Sequence, residues 1–235
     1  MRILITAGAT REYIDPVRFI SNASSGRMGY AIAHAALKAG HKVTLITTVH
    51  RPSSIIHRAT SHEPRATVVK VETAAQMFDA VKRHFPRCDC LIMAAAVADY
   101  TRAHPAKTKI KKQNKPLTIK LKPTPDILKW AGTHKNSKFQ ILNSKLGHQR
   151  LVVGFALEDK NLRHNAEKKL MDKNLDMIIA NTPAAIGAGK ISIQIKTPDR
   201  KWLKLPKASK TTIAKKIIAL AEKIKKERQK NEAED

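Results

Sequence analysis

The chain has 235 residues, 42% of them hydrophobic, enough for one sizeable α/β domain with a real core. No apolar run reaches the length of a membrane span, Met1-Arg2 leads into a strand rather than a leader, and Cys88 and Cys90 are too close for a useful staple, so a single cytoplasmic domain over Met1–Lys226 with a charged tail 227–235 is expected. A formal charge of +26 invites nucleic acid, but aromatic residues are only 4% of the chain and leave few stacking platforms, so the excess is assigned to solvated helix faces and to anionic small substrates, with no specific nucleic acid and no membrane as partner.

Arg2 to Thr6 is a short apolar strand ending at Ala7-Gly8-Ala9-Thr10. The first helix starts only after Ser24-Ser25-Gly26, with Met28, Ile32, Ala35, Ala36 and Ala39 at helical spacing and Gly40 as its stop. Roughly seventeen residues lie between them, against the usual about two to six of such a connection, so this loop does more than connect. Lys42 to Thr47 is the next strand, followed by a His-rich loop over Val49–Arg65. Thr67–Val71 is a third strand, Ala74–His84 a helix and Asp89–Ala95 a fourth strand. Leu117 to Leu121 alternates as a strand would, and Thr124-Pro125-Asp126 opens a helix with a hydroxyl cap, a proline and an acid in the first turn. After a polar link at Lys135–Gln149 come a strand at Leu151–Phe155, a helix at Leu162–Lys173 and a strand at Met177–Ala180. Ile191–Ile195 and Lys201–Leu205 form a hairpin around Pro198-Asp199-Arg200, Thr211–Lys226 is the last helix, and Lys230–Asp235 frays. Apolar strands alternating with amphipathic helices predict a doubly wound, Rossmann-like and mostly parallel sheet with helices on both faces and a small β extension.

The stretch Ala94 to Asp99 suits a polyphosphate site: small residues let a ligand approach the backbone, Asp99 offers an acceptor, and Lys107, Lys109 and Lys111 follow. Those lysines share one face of an extended segment, and are either site residues or the charged guard of an edge strand. Gly8 and the helix start at Ser24-Ser25-Gly26 suit an anion, while Gly26 and Gly29 equally suit close packing of helix on sheet. Asn22 either caps its own loop or aims an amide at a substrate carbonyl. Lys169 and Lys173, four apart on one helix, either face solvent or reach the same crevice. No histidine pair has ligand spacing and no serine sits in a nucleophile elbow, so neither a protein-built metal site nor nucleophilic hydrolysis is expected.

Eight segments then carry a resemblance: Thr6–Glu12, Ile14–Asn22, Ser24–Gly29, Ala94–Tyr100, Lys109–Lys112, Thr124–Leu128, Gly154–Ala156 and Lys173–Asp176 through Ala180-Asn181. In this order they resemble phosphopantothenoylcysteine synthetase, also called phosphopantothenate-cysteine ligase. The resemblance implies a ligase of coenzyme A biosynthesis. In that family the carboxylate of 4'-phosphopantothenate attacks the α-phosphate of a nucleoside triphosphate, CTP rather than ATP in most bacterial members, and the acyl-nucleotide yields to the amine of L-cysteine. It further implies Mg²⁺ held mainly by nucleotide phosphates, with no metal ligand assigned in the chain, and a homodimer. Many bacterial members carry a flavin-dependent decarboxylase in front; because Met1 begins the first strand, a monofunctional ligase is expected, with a separate decarboxylase acting next. By motif, Lys109 resembles the lysine at the α-phosphate and Asn22 the amide holding the acyl-nucleotide. Gly8, Ser24, Ser25, Gly26, Met93, Ala94, Ala95, Asp99, Pro125, Asp126, Ile127, Leu128, Phe155, Lys169 and Lys173 resemble the nucleotide pocket. Departures from the family pattern at Tyr13 and Leu157-Glu158-Asp159, the latter beside Phe155, bear on base selectivity. Two rivals make different demands: a nicotinamide-dependent oxidoreductase needs a ribose-reading acid near Thr47, and a basic nucleic-acid-binding protein needs salt-sensitive binding that survives loss of Lys109.

Overall fold

The computed structural model describes residues 1–49, 66–136 and 149–234. The expected loop at 50–65 and most of the polar link after residue 136 lie outside the described residues. The chain opens with β1 (Arg2–Ala7), a small hairpin of β2 (Arg11–Tyr13) and β3 (Phe19–Ser21), α1 (Arg27–Lys38), β4 (Lys42–Thr47) and β5 (Thr67–Lys70). It continues through α2 (Ala74–His84), β6 (Cys90–Met93), the paired short strands β7 (Tyr100–Arg102) and β8 (Leu121–Pro123), and α3 (Ile127–His134). The last part holds β9 (Leu151–Leu157), α4 (Leu162–Asp172), β10 (Met177–Asn181), β11 (Lys190–Lys196), β12 (Leu203–Ser209) and α5 (Lys210–Glu234).

Eight strands form one sheet in the order β12-β11-β10-β9-β6-β1-β4-β5. The six from β10 to β5 are parallel, and β11 and β12 add an antiparallel edge. Parallel strands buried on both faces need unbroken apolar runs, and β1 supplies one. Its Ile3, Ile5 and Ala7 face the layer of α1 and α5, while Leu4 faces the layer of α2, α3 and α4 together with Ile46, Met77, Leu91 and Leu170. The doubly wound fold read from the alternation of elements is the fold observed.

Three differences have local causes. Residues 117–119 carry the alternation of a strand but join no ladder; β8 pairs with β7, the Lys120 carbonyl accepts from the Ala103 amide at 3.0 Å beside that pair, and 103–120 has no regular structure, so the lysines at 107–111 do not guard a sheet edge. Helix α3 is capped by Asp126, whose carboxylate accepts from the Lys129 amide at 2.9 Å, because the Thr124 hydroxyl donates instead to the Ala98 carbonyl at 2.6 Å. Helix α5 runs on to Glu234 instead of ending at Lys226, held past that point by Arg228 on the buried Asp176 at 2.6 Å and by Glu227 on Arg200.

Candidate functional site

In the sheet order, β1 and β6 are neighbours from which the chain winds in opposite directions, β1 toward β4 and β6 toward β9. Ligands of such folds sit where the strand order reverses, beyond the carboxyl ends of the strands. Here that place is a cleft of about 670 Å³.

One wall is the connection from β1 to α1. Gly8 and Gly26 both have positive φ, 92° and 73°, and their backbones touch: a Cβ on Gly26 would lie 2.9 Å from the Gly8 nitrogen. At Gly29 a Cβ would meet the Ala7 Cβ at 2.5 Å, so α1 lies tight on β1. Gly29 serves close packing, while Gly26 caps α1 with no side-chain acceptor and leaves the first-turn amides beside the cleft-lining Ser24, Ser25, Arg27 and Met28. Gly8 itself does not line the cleft; it supports Gly26 from behind and accepts from the Ala96 amide at 2.8 Å.

The floor is the end of β6. Past Met93 the chain leaves the ladder, and the Thr6 and Thr10 hydroxyls accept from the Ala95 and Ala98 amides at 3.2 and 2.9 Å. Asn22 reaches across: its Nδ2 donates to the carbonyls of Ala96 and Val97 at 3.3 and 3.1 Å, so its amide spans two chain segments rather than capping its own loop. The Thr124 amide donates to the Asp99 carbonyl at 2.9 Å and brings Pro125, Asp126, Ile127 and Leu128 to the rim.

The far wall is cationic. Lys169 and Lys173 both line the cleft with Phe155, rather than facing solvent. Lys173 pairs with Asp126 at 2.9 Å. Burial lowers the Lys169 ammonium below the ordinary lysine range and Lys173 adds to the effect, with Glu158, Asp126 and Asp99 offsetting part of it. For Asp126, burial pushes the carboxyl up, but the Lys129 amide and the Lys173 ammonium together outweigh it and hold it below the ordinary range. A cation kept half-desolvated beside another cation is stabilised by an arriving anion.

All the sequence-derived candidates line the cleft except Gly8 and the three lysines Lys107, Lys109 and Lys111. Lys109 is exposed on the irregular segment between β7 and β8. Sequence reasoning gave no role to three cleft residues that the fold brings in, Arg27, Asn181 and Lys210, and met Glu158 only as a departure from the family pattern. Asn181 was findable, since it ends a parallel strand at the same sheet edge. Lys210 was not: it starts α5, whose lysines read as a solvated face. The acid that a nicotinamide site would need is absent, for β4 ends at Thr47, whose hydroxyl pairs with the Tyr30 hydroxyl at 2.8 Å. Among the described residues no group of three or more His, Cys, Asp or Glu could hold a metal, and no helix is long and apolar enough to cross a membrane.

Residues 1–225 match the family described as DNA/pantothenate metabolism flavoprotein C-terminal domain. The chain is 41% identical over 190 residues to the coenzyme A biosynthesis bifunctional protein CoaBC of Bacillus subtilis (strain 168), covering 80% of this chain and 41% of that protein. The chain thus spans about half the length of the curated relatives it matches, from 41% to 52% of each. A crystal structure of the C-terminal domain of a CoaBC protein superposes with a TM-score of 0.71 at 36% identity, covering 95% of this chain and 94% of that one. A Cab2 mutant in complex with phosphopantothenate-cysteine shares the fold, with a TM-score of 0.69 at 20% identity, covering 94% of this chain and 86% of that one.

Proposed function

The chain belongs to the family described as DNA/pantothenate metabolism flavoprotein C-terminal domain, and on that premise we propose that its cleft joins 4'-phosphopantothenate to L-cysteine through an acyl-nucleotide, a step of coenzyme A biosynthesis. The observation that carries this reading is convergence: motifs scattered from Ser24 to Lys173 meet in one crevice at the switch point of the sheet, with an uncapped helix start on one side and two lysines on the other. The similarity to a CoaBC C-terminal domain over nearly its whole length, and the shared fold of a protein bound to phosphopantothenate-cysteine, point to the same chemistry.

In this reading the nucleoside triphosphate, CTP before ATP, lies along the cleft with its phosphates between the first turn of α1 and the Lys169–Lys173 pair. A carboxylate oxygen of 4'-phosphopantothenate attacks the α-phosphorus and the bond to pyrophosphate breaks, leaving a mixed anhydride. Lys109 meets the charge that gathers on the α-phosphate. Asn22, pinned over Ala96 and Val97, holds the anhydride while the cysteine amine adds to its carbonyl carbon; nucleoside monophosphate leaves and the ammonium proton goes to solvent. Mg²⁺ would come with the phosphates of the nucleotide, where it would offset their charge, and no residue is assigned to it. Exposed Val17, Phe19 and Ile20 on the first hairpin and Tyr100 and Leu121 on the adjoining strand pair support a homodimer as the working form. The product, an amide with a free thiol that still bears the cysteine carboxylate, is then a substrate for a decarboxylase.

The test is pyrophosphate release from CTP or ATP with phosphopantothenate and cysteine. Lys109→Ala lowers release at least about 100-fold, and Asn22→Asp releases pyrophosphate only once per site, without product. Unaltered turnover in both variants removes the assignment.

A further inference from the structure

Lys109 sits on a segment with no regular structure, and a flexible lysine is a poor partner for one phosphorus atom. How it is held is the question, and the hairpin answers it. Ile14 donates its amide to the Arg18 carbonyl at 2.7 Å, closing a tight turn across Pro16. Within it the Asp15 side chain is fully buried although the turn around it is exposed. Its two oxygens have separate tasks. Oδ1 accepts from the Val17 and Arg18 amides, both at 2.9 Å, and shapes the turn. Oδ2 accepts from the Arg18 guanidinium, Nε at 3.0 Å, and from the Ile110 amide at 3.1 Å, 95 residues away. Arg18 then donates from Nη2 to the Ile110 carbonyl at 2.8 Å.

Both polar groups of the residue next to Lys109 are therefore gripped by one ion pair, as a neighbouring strand would grip them. Two further ties run to the same turn, from the Ala106 amide to the Ile14 carbonyl at 3.1 Å and from the Arg102 guanidinium to that carbonyl. The turn's other end is equally fixed, since β3 runs directly into Asn22 on the cleft floor. One rigid hairpin thus carries Asn22 at its base and the Lys109 segment at its tip.

We infer that Asp15, through Arg18, is the positioning residue of this site: its carboxylate fixes the peptide beside Lys109 and so sets that lysine relative to Asn22. The inference rests on the reading of Lys109 given above. Arg18 holds the Asp15 carboxyl well below the usual carboxylate range, so the clasp stays charged at every working pH.

The experiment has two arms. In the unaltered protein, hydrogen exchange over 107–115 shows a slowed Ile110 amide between fast amides at Lys109 and Lys111; equal exchange at all three overturns the clasp, with no variant needed. In the second arm, pyrophosphate release is compared for Asp15→Asn, Lys109→Ala and the double variant. Asp15→Asn lowers kcat roughly 10- to 100-fold while the nucleotide KM stays within about twofold, and the double variant is no slower than Lys109→Ala alone. Losses that multiply in the double variant show that Asp15 acts by another route and overturn the inference, as does full turnover in Asp15→Asn where Lys109→Ala has lost it. If Lys109→Ala itself turns over normally, the role of Lys109 fails and the inference with it, and exchange at Ile110 tells that failure apart from absence of the clasp.

Discussion

Gly132→Ala tests whether the cationic wall of the cleft depends on how closely α3 lies against the end of α4. A Cβ at this position would stand 1.8 Å from the Lys173 carbonyl oxygen and 3.0 Å from its carbon, where ordinary contact begins at 3.4 Å. The overlap with the oxygen is thus about 1.6 Å, from 3.4 minus 1.8, and backbone cannot rotate out of the way. The Asn174 amide that donates to the Gly132 carbonyl at 3.0 Å is lost as the two elements part, and so is the 2.9 Å pair of Lys173 with Asp126. Overpacking costs about 1–3 kcal/mol and the lost hydrogen bond about 1 kcal/mol, while alanine returns about 1 kcal/mol of helix propensity. The net loss of about 1–3 kcal/mol lowers the melting temperature by roughly 3 to 10 °C. Displacing Lys173 weakens triphosphate binding about tenfold. Thermal unfolding and a CTP titration read both effects, with Gly189→Ala as the control, since nothing lies within 4 Å of its Cβ position and its φ is ordinary. Wild-type melting and affinity in Gly132→Ala would refute the close approach and the dependence of the lysine wall upon it.

Two further outcomes follow from charge. Because burial lowers the Lys169 pKa, the unfolded chain holds a proton that the folded one has released between that lowered value and the ordinary lysine value, so stability rises with pH across this window. Triphosphate affinity falls over the same window as the ammonium is lost; both trends vanish in Lys169→Met, and their persistence there assigns them to another group. Asp176 is 2% exposed and holds Lys135 at 2.7 Å, Arg228 at 2.6 Å and the Val152 amide at 2.7 Å. Asp176→Asn leaves the buried Lys135 without a counter-charge and costs about 3 kcal/mol or more in urea unfolding; a loss below about 1 kcal/mol would mean that solvent already screens the pair.

What the sequence disclosed and what it concealed divide by the range of the interactions involved. Periodicity located β1, α1, β4, α2 and the β11–β12 hairpin because each is decided by its own apolar spacing and stop signals. The cleft was legible for the same reason: Ser24 to Gly29 and Ala94 to Asp99 follow the carboxyl ends of adjacent strands, where the topology of a doubly wound sheet must put a crevice. Concealment begins where a residue's task is set by a distant partner. The alternation of 117–119 matches a strand in every local respect but joins no ladder, whereas the Thr124 hydroxyl donates to the Ala98 carbonyl instead of capping the helix. Lys210 and Arg228 fall just outside the expected helix Thr211–Lys226, one before it and one in the charged tail, yet one opens onto the cleft and the other pairs with the buried Asp176. Asp15 is the sharpest case, for its own turn and the Arg18 guanidinium within it engage both of its oxygens and conceal a further partner, the Ile110 amide, 95 residues along the chain. A carboxylate already paired with a guanidinium in its own turn can be buried without a further partner, so nothing in the local sequence calls for the distant amide that it also accepts.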